Sequence, residues 1–158
     1  MGRLTLICLL AVSLCCLPVM AVAGGYLLSL NGRQQFAVAI TVRGAQMTGL
    51  CIIRTDEAGS RGTIVNEFGV HVLDFTLSAD RRKVKLLNVM PAMDRWYVRK
   101  VVRSDLRMLF GATEVPREKG RRSLAVEDDG SVTLENKRHE LKYSLKPIPN
   151  TEEDETEE

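Results

Sequence analysis

From Phe36 to Asn88 apolar side chains alternate with polar or small ones in short runs, and the segments between the runs are tight turns. Phe36, Val38, Ile40 and Val42 alternate with Ala37, Ala39, Thr41 and Arg43, the period of a half-buried strand, and Gly44 closes it. Gln46 to Arg54 is more continuously apolar through Leu50, Cys51, Ile52 and Ile53, and Thr55 to Ser60 carries turn chemistry with Gly59 free to take a positive φ. Arg61 to Glu67 gives a third strand around Thr63, Ile64 and Val65, and Phe68–Gly69 breaks it. Val70 to Leu77 resumes with Val70 and Val72 on one face and Leu73, Phe75 and Leu77 on the other. After a turn at Ala79–Arg81, Lys83, Lys85 and Leu87 alternate with Val84, Leu86 and Asn88 until Pro91. A parallel connection needs a dozen or more residues, usually a helix, so short turns in series dictate an antiparallel meander.

The period then changes. Val98, Val101, Val102, Leu106, Leu109 and Phe110 follow three-to-four spacing, which predicts a helix over 94–110 with Asp94 as N-cap and Gly111 as C-cap. Arg95, Arg99, Arg103 and Arg107 recur every four residues on a polar face. Val115 to Arg122, with Pro116 and Gly120, reads as an exposed loop. Ser123–Val126 and Ser131–Leu134 flank an acidic hairpin tip, and Leu141, Tyr143 and Leu145 mark a last strand over 140–145. Five or six strands, one helix and three more strands predict an α+β domain: a curved antiparallel sheet, an incomplete β-barrel, with one main helix packed against its open side.

The two ends are of another kind. Arg3 precedes an apolar run from Leu4 to Ala23 that Pro18 interrupts and Ala21-Val22-Ala23 ends, the layout of a secretory signal peptide over 1–23 cleaved before Gly24. The alternatives are an uncleaved membrane anchor and a lipid on Cys16. Removal of that segment leaves Cys51 as the one cysteine, so no intrachain disulfide can form, and its apolar neighbours make it core filler rather than a reactive thiol. Thr151 to Glu158 holds six acids and no apolar residue, so 149–158 is expected to be a disordered acidic tail beyond a single domain over 24–148. Without the tail, residues 24–150 carry 21 basic and 14 acidic side chains, a net +7 that suits an anionic partner surface.

Chemistry-bearing residues are sparse. His71 and His139 fall in separate expected strands, neither at metal-ligand spacing from a second His or Cys, and read as surface or packing residues; no metal site or cofactor is expected. Glu67 and Asp74 flank the Phe68–Gly69 break and are the pair of carboxylates to weigh for hydrolysis, although acids beside a turn are commonly solubilising; no catalytic constellation is assembled. The basic run Arg81 to Lys85 reads as a solvated hairpin tip, or as a contact for anionic headgroups; export argues against nucleic acid. Trp96 and Tyr97 open the arginine-bearing helix and are core anchors or an aromatic edge at the mouth of an apolar cavity. With Val98 and Val102 they form the candidate ligand-binding set.

Met47 to Arg54, Val65 to Val70, Leu73 to Phe75 and the helix ending Ser104 to Phe110 together resemble small envelope proteins of Bacteroidetes-type bacteria over about residues 36–110. That pattern is similar to the periplasmic and outer-membrane lipoprotein carriers. The resemblance implies an incomplete barrel with helix on its open side, with Asn66 to Gly69 at a strand-to-strand corner, located in the periplasm or on the periplasmic face of the outer membrane. The expected function is a non-catalytic binder of a lipid or lipoprotein acyl chain, or alternatively an accessory subunit that docks another envelope protein.

Overall fold

The computed structural model describes residues 28, 29, 31–111 and 118–149. The expected signal segment and the acidic residues of the expected tail lie outside the described residues, as do 115–117 of the expected loop. Five strands come first: β1 (Gly32–Val42), β2 (Ala45–Asp56), β3 (Gly59–Asn66), β4 (His71–Ser78) and β5 (Val84–Val89). A 3-10 turn over Pro91–Met93 leads into α1 (Trp96–Phe110). Then come β6 (Glu118–Lys119), β7 (Arg122–Val126), β8 (Val132–Asn136) and β9 (Leu141–Ile148). All pair antiparallel in one sheet of order β5-β4-β3-β2-β1-β9-β8-β7-β6, so the meander is as expected and β9 joins its two halves at β1. The sheet is not closed: β5 and β6 are its edges.

One α-helix among the described residues packs on this sheet. It packs against β5 at one edge and against β8 near the other. Six inter-strand steps of about 4.8 Å separate these two strands in the sheet order, which would set them about 29 Å apart if it were flat. A helix is only about 10 Å across, so the sheet must curve round it. Polar attachments to both sides of the sheet hold this arrangement. The Arg99 guanidinium donates to the Leu86 carbonyl of β5 at 3.1 Å, and the Asp105 carboxylate meets Arg122 of β7 at 2.6 Å.

The inner face is apolar by alternation. Phe36, Val38 and Ile40 of β1, Cys51 and Ile53 of β2, Leu134 of β8 and Tyr143 and Leu145 of β9 are all buried. Cys51 is core filler, and burial pushes its thiol up to about 12. Phe110 at the end of α1 stacks on Phe75, ring centroids 5.5 Å apart, and lies tilted on Phe36 at 6.4 Å. The Phe75 ring in turn covers Gly62, where a Cβ would stand 2.2 Å from the ring, so only glycine fits opposite it.

Several expectations need correction. α1 starts at Trp96, with Arg95 at the N-cap, because the 3-10 turn over Pro91–Met93 delays it; Asp94 instead ends that turn, its N–H donating to the Pro91 carbonyl, and its carboxylate accepts from Arg99 at 2.6 Å. Gly111 is the C-cap as expected, its N–H donating to the Arg107 carbonyl at 3.0 Å, with an extended backbone at φ −69°. It is glycine for space, since a Cβ would lie 2.1 Å from the Arg107 carbonyl oxygen. Val72 and Leu73 are both buried, because Val72 is the extra residue of a bulge opposite Ile64–Val65 of β3, which breaks the alternation of β4. The expected loop 115–122 contains β6 and the first residue of β7, since Arg122 is drawn inward by Asp105. His139 stands in the β8–β9 turn rather than in a strand.

Candidate functional site: an apolar cleft beneath the helix

The helix is embedded unevenly. In its C-terminal half Asp105, Leu106, Met108, Leu109 and Phe110 are buried, whereas Val98 and Val101 are only half-buried and Trp96 and Tyr97 are 77 % and 55 % exposed. The aromatic anchor at Phe110 pins one end, and the other end stands off the sheet. A cleft of about 490 Å³ fills the gap. Its floor is Ile40, Ile64, Leu73 and Leu141 of the strands, and its roof is Val98, Val101, Val102 and Leu106 of α1. Met47 and Met93 close its sides with Ala92 and Ala45, and their flexible thioethers adapt to what they touch. Polar groups lie at the mouth: Arg43 and Gln46 from the β1–β2 hairpin, His139 from the β8–β9 turn, and Tyr97.

The mouth is shaped by the backbone. Arg43 takes a left-handed φ of +47° in the two-residue Arg43–Gly44 turn, and its N–H donates to the Glu140 carbonyl at 2.9 Å. Glu140 is itself left-handed at φ +51°. A non-glycine residue in that region costs energy, so two such residues bonded to each other fix the two hairpins side by side at the opening.

Behind the cleft wall lies a buried polar cluster that the sequence reading missed. Asp105 is fully buried in α1, ion-paired to Arg122 and hydrogen-bonded by the Asn136 amide at 3.1 and 3.2 Å. The Tyr143 hydroxyl is buried beside this carboxylate, outside direct hydrogen-bond geometry, while the Tyr143 ring lines the cleft. Burial, and then the Asp105 charge, push that phenol well above its ordinary value, so it stays a neutral hydroxyl. The signal was available: Asp105 lies three residues after Val102 and four before Leu109, on the apolar stripe.

The expected site residues divide. Tyr97, Val98 and Val102 line the cleft together; Trp96 does not, and stands edge-on to Tyr97 with centroids 5.9 Å apart. The core reading of Trp96 and Tyr97 is overturned by their exposure, which follows from the overhang of the first helical turn. Glu67 and Asp74 do not act as a pair. Glu67 accepts from Thr48, whereas Asp74 accepts from Thr63, His71 and Asn88, each at 2.8 Å. Partial burial works to raise the Asp74 carboxyl, but these hydrogen bonds and the His71 charge outweigh it and hold it below its ordinary value. Arg81 of the basic run is structural: its guanidinium donates to the Leu28 and Ser29 carbonyls at 3.2 and 3.0 Å. Among the described residues, no three His, Cys, Asp or Glu side chains gather in a metal-holding group, and no helix is long and apolar enough to cross a membrane. Neither the known protein-family models nor the curated proteins give a match to this chain.

Proposed function

We propose that this chain is an exported, non-catalytic envelope protein whose incomplete barrel holds one acyl chain of a lipid or lipoprotein in the cleft beneath α1. The observation that carries the reading is the cleft itself. Its volume falls in the range of about 300–1,000 Å³ usual for small-molecule sites, its walls are aliphatic, and its few polar groups gather at the opening. Such a site suits an amphiphile: the hydrocarbon gains about 0.8 kcal/mol for each CH₂ it buries, and Arg43, Gln46 and His139 meet a polar head at the mouth. The apolar N-terminal segment supports export, and the resemblance to lipoprotein carriers supports a periplasmic location.

The test is binding of the fluorescent fatty acid cis-parinaric acid and its displacement by palmitate. Val101→Phe places a ring in the roof of the cleft and is expected to weaken binding at least about tenfold, since it removes the volume several CH₂ groups would occupy. Unchanged binding in a Val101→Phe protein that melts like the wild type would sink the proposal. The second reading, an accessory subunit docking another envelope protein, draws on the open edge of β5 and its exposed Leu87. It requires no response to filling the cleft.

A further inference from the structure

The cleft opens at the end of the sheet where β1, β3, β5 and β8 finish. Five of the eight large apolar side chains left exposed among the described residues stand at that same end. They are Val42 in β1, Phe68 and Val70 in the β3–β4 turn, and Trp96 and Tyr97 at the start of α1; Phe68 is 81 % exposed. Burying none of these side chains, the fold spends three aromatic rings on one rim.

Charge is divided along the same axis. The turns of the cleft end and the start of α1 carry Arg43, Arg95, Arg99, Lys100, Arg121, Lys137 and Arg138, against Glu67, Asp94 and Glu140. The turns of the opposite end and the last turn of α1 come near balance, with Glu57, Asp80, Glu127, Asp128 and Asp129 against Arg81, Arg82, Lys83 and Arg107. The cleft end of the described domain is therefore both its more positive and its more apolar end. A protein partner would be served by either property alone. Aromatic rings and cations together on one rim match the layering of a membrane surface, where rings sit at headgroup level and lysines and arginines face phosphates.

We propose that this rim docks on an anionic phospholipid bilayer, with Phe68, Trp96 and Tyr97 entering the interface and the basic turns resting on headgroup phosphates. Docking in this pose turns the mouth of the cleft toward the bilayer. It extends the acyl-chain reading to the source of the chain, yet rests on separate observations and is measured separately.

Trp96 is the only tryptophan, so its emission reports the rim alone, whatever the apolar N-terminal segment does. The experiment adds vesicles of phosphatidylcholine, or of equal parts phosphatidylcholine and phosphatidylglycerol, to the full chain. The expected result is a blue shift, with quenching by brominated acyl chains, on the anionic vesicles only. Arg95→Glu combined with Arg138→Glu should weaken the anionic-vesicle response about tenfold or more, and Phe68→Ser should weaken it as well. Lys83→Glu at the opposite end should leave it unchanged, each variant being checked for an unaltered melting temperature. Val101→Phe should still dock while losing cis-parinaric acid, which separates failure of docking from failure of the cleft. An unshifted Trp96 on anionic vesicles, or an equal loss from Lys83→Glu, overturns the proposal.

Discussion

Replacing Asp105 by alanine removes a carboxylate with no exposed surface from the middle of α1. Three losses follow. The Arg122 guanidinium, 24 % exposed, loses its ion-pair partner at 2.6 Å. The buried Asn136 amide loses both hydrogen bonds, and the helix loses its attachment to β7 and β8. Breaking a fully buried pair costs about 3–5 kcal/mol, and the partial exposure of Arg122 moves this case to the lower end. An unsatisfied buried amide adds about 1–3 kcal/mol. A total near 4 kcal/mol corresponds to a fall of roughly 10–20 °C in melting temperature for a domain of this size. Urea melts should find Asp105→Ala about as damaging as Leu106→Ala, for which truncation of a buried leucine costs about 2–5 kcal/mol. Arg103→Ala, one turn away on the exposed face, should stay within about 0.5 kcal/mol. Because charge removal from both sides relieves the orphaned cation, Asp105→Ala with Arg122→Met should be more stable than Asp105→Ala alone. A loss below about 1 kcal/mol for Asp105→Ala, or no recovery in the double variant, refutes the reasoning.

Two further outcomes can be checked on the same material. Gly62→Ala drives a methyl into the Phe75 ring and should cost about 1–3 kcal/mol of stability in a denaturant melt; a neutral effect would mean that the Phe75–Phe110 stack yields freely. The Asp74 carboxyl is held below its ordinary value in the folded chain, so its contribution is fully present above the unfolded carboxylate value and is lost as pH falls through the folded one. The melting-temperature advantage of wild type over Asp74→Asn should therefore be steady near neutrality and shrink below about pH 4; a gap that widens in acid contradicts the assignment.

The strands were legible because their burial is one-sided: from Phe36 to Val42 each buried side chain has an outward neighbour, and period two survives intact. It fails in β4, where Val72 is an extra residue opposite Ile64–Val65 and both it and Leu73 are buried. Arg122 hid the start of β7 because a charged residue was read as solvent-facing, and its partner Asp105 lies 17 positions away. Asn136, 31 positions from Asp105, is likewise invisible to any local pattern. The aromatic pair at Trp96 and Tyr97 misled for another reason: helical phase says which face a residue occupies, not how far the helix end projects past the sheet. Val98 and Val102, four positions apart, share a helical face and line the cleft, which Tyr97 borders.

The joint between β1 and β9 governs how the domain can be handled. Gln35 lies opposite Ile148 and Val42 opposite Leu141, so the first strand begins beside the point where the last one finishes. That point is at the pole away from the Arg43 turn and the cleft mouth. A leader, a fusion partner or a surface linkage at either terminus thus leaves from one shared pole. The domain immobilised through its ends presents the cleft outward, like a cup held by its stem.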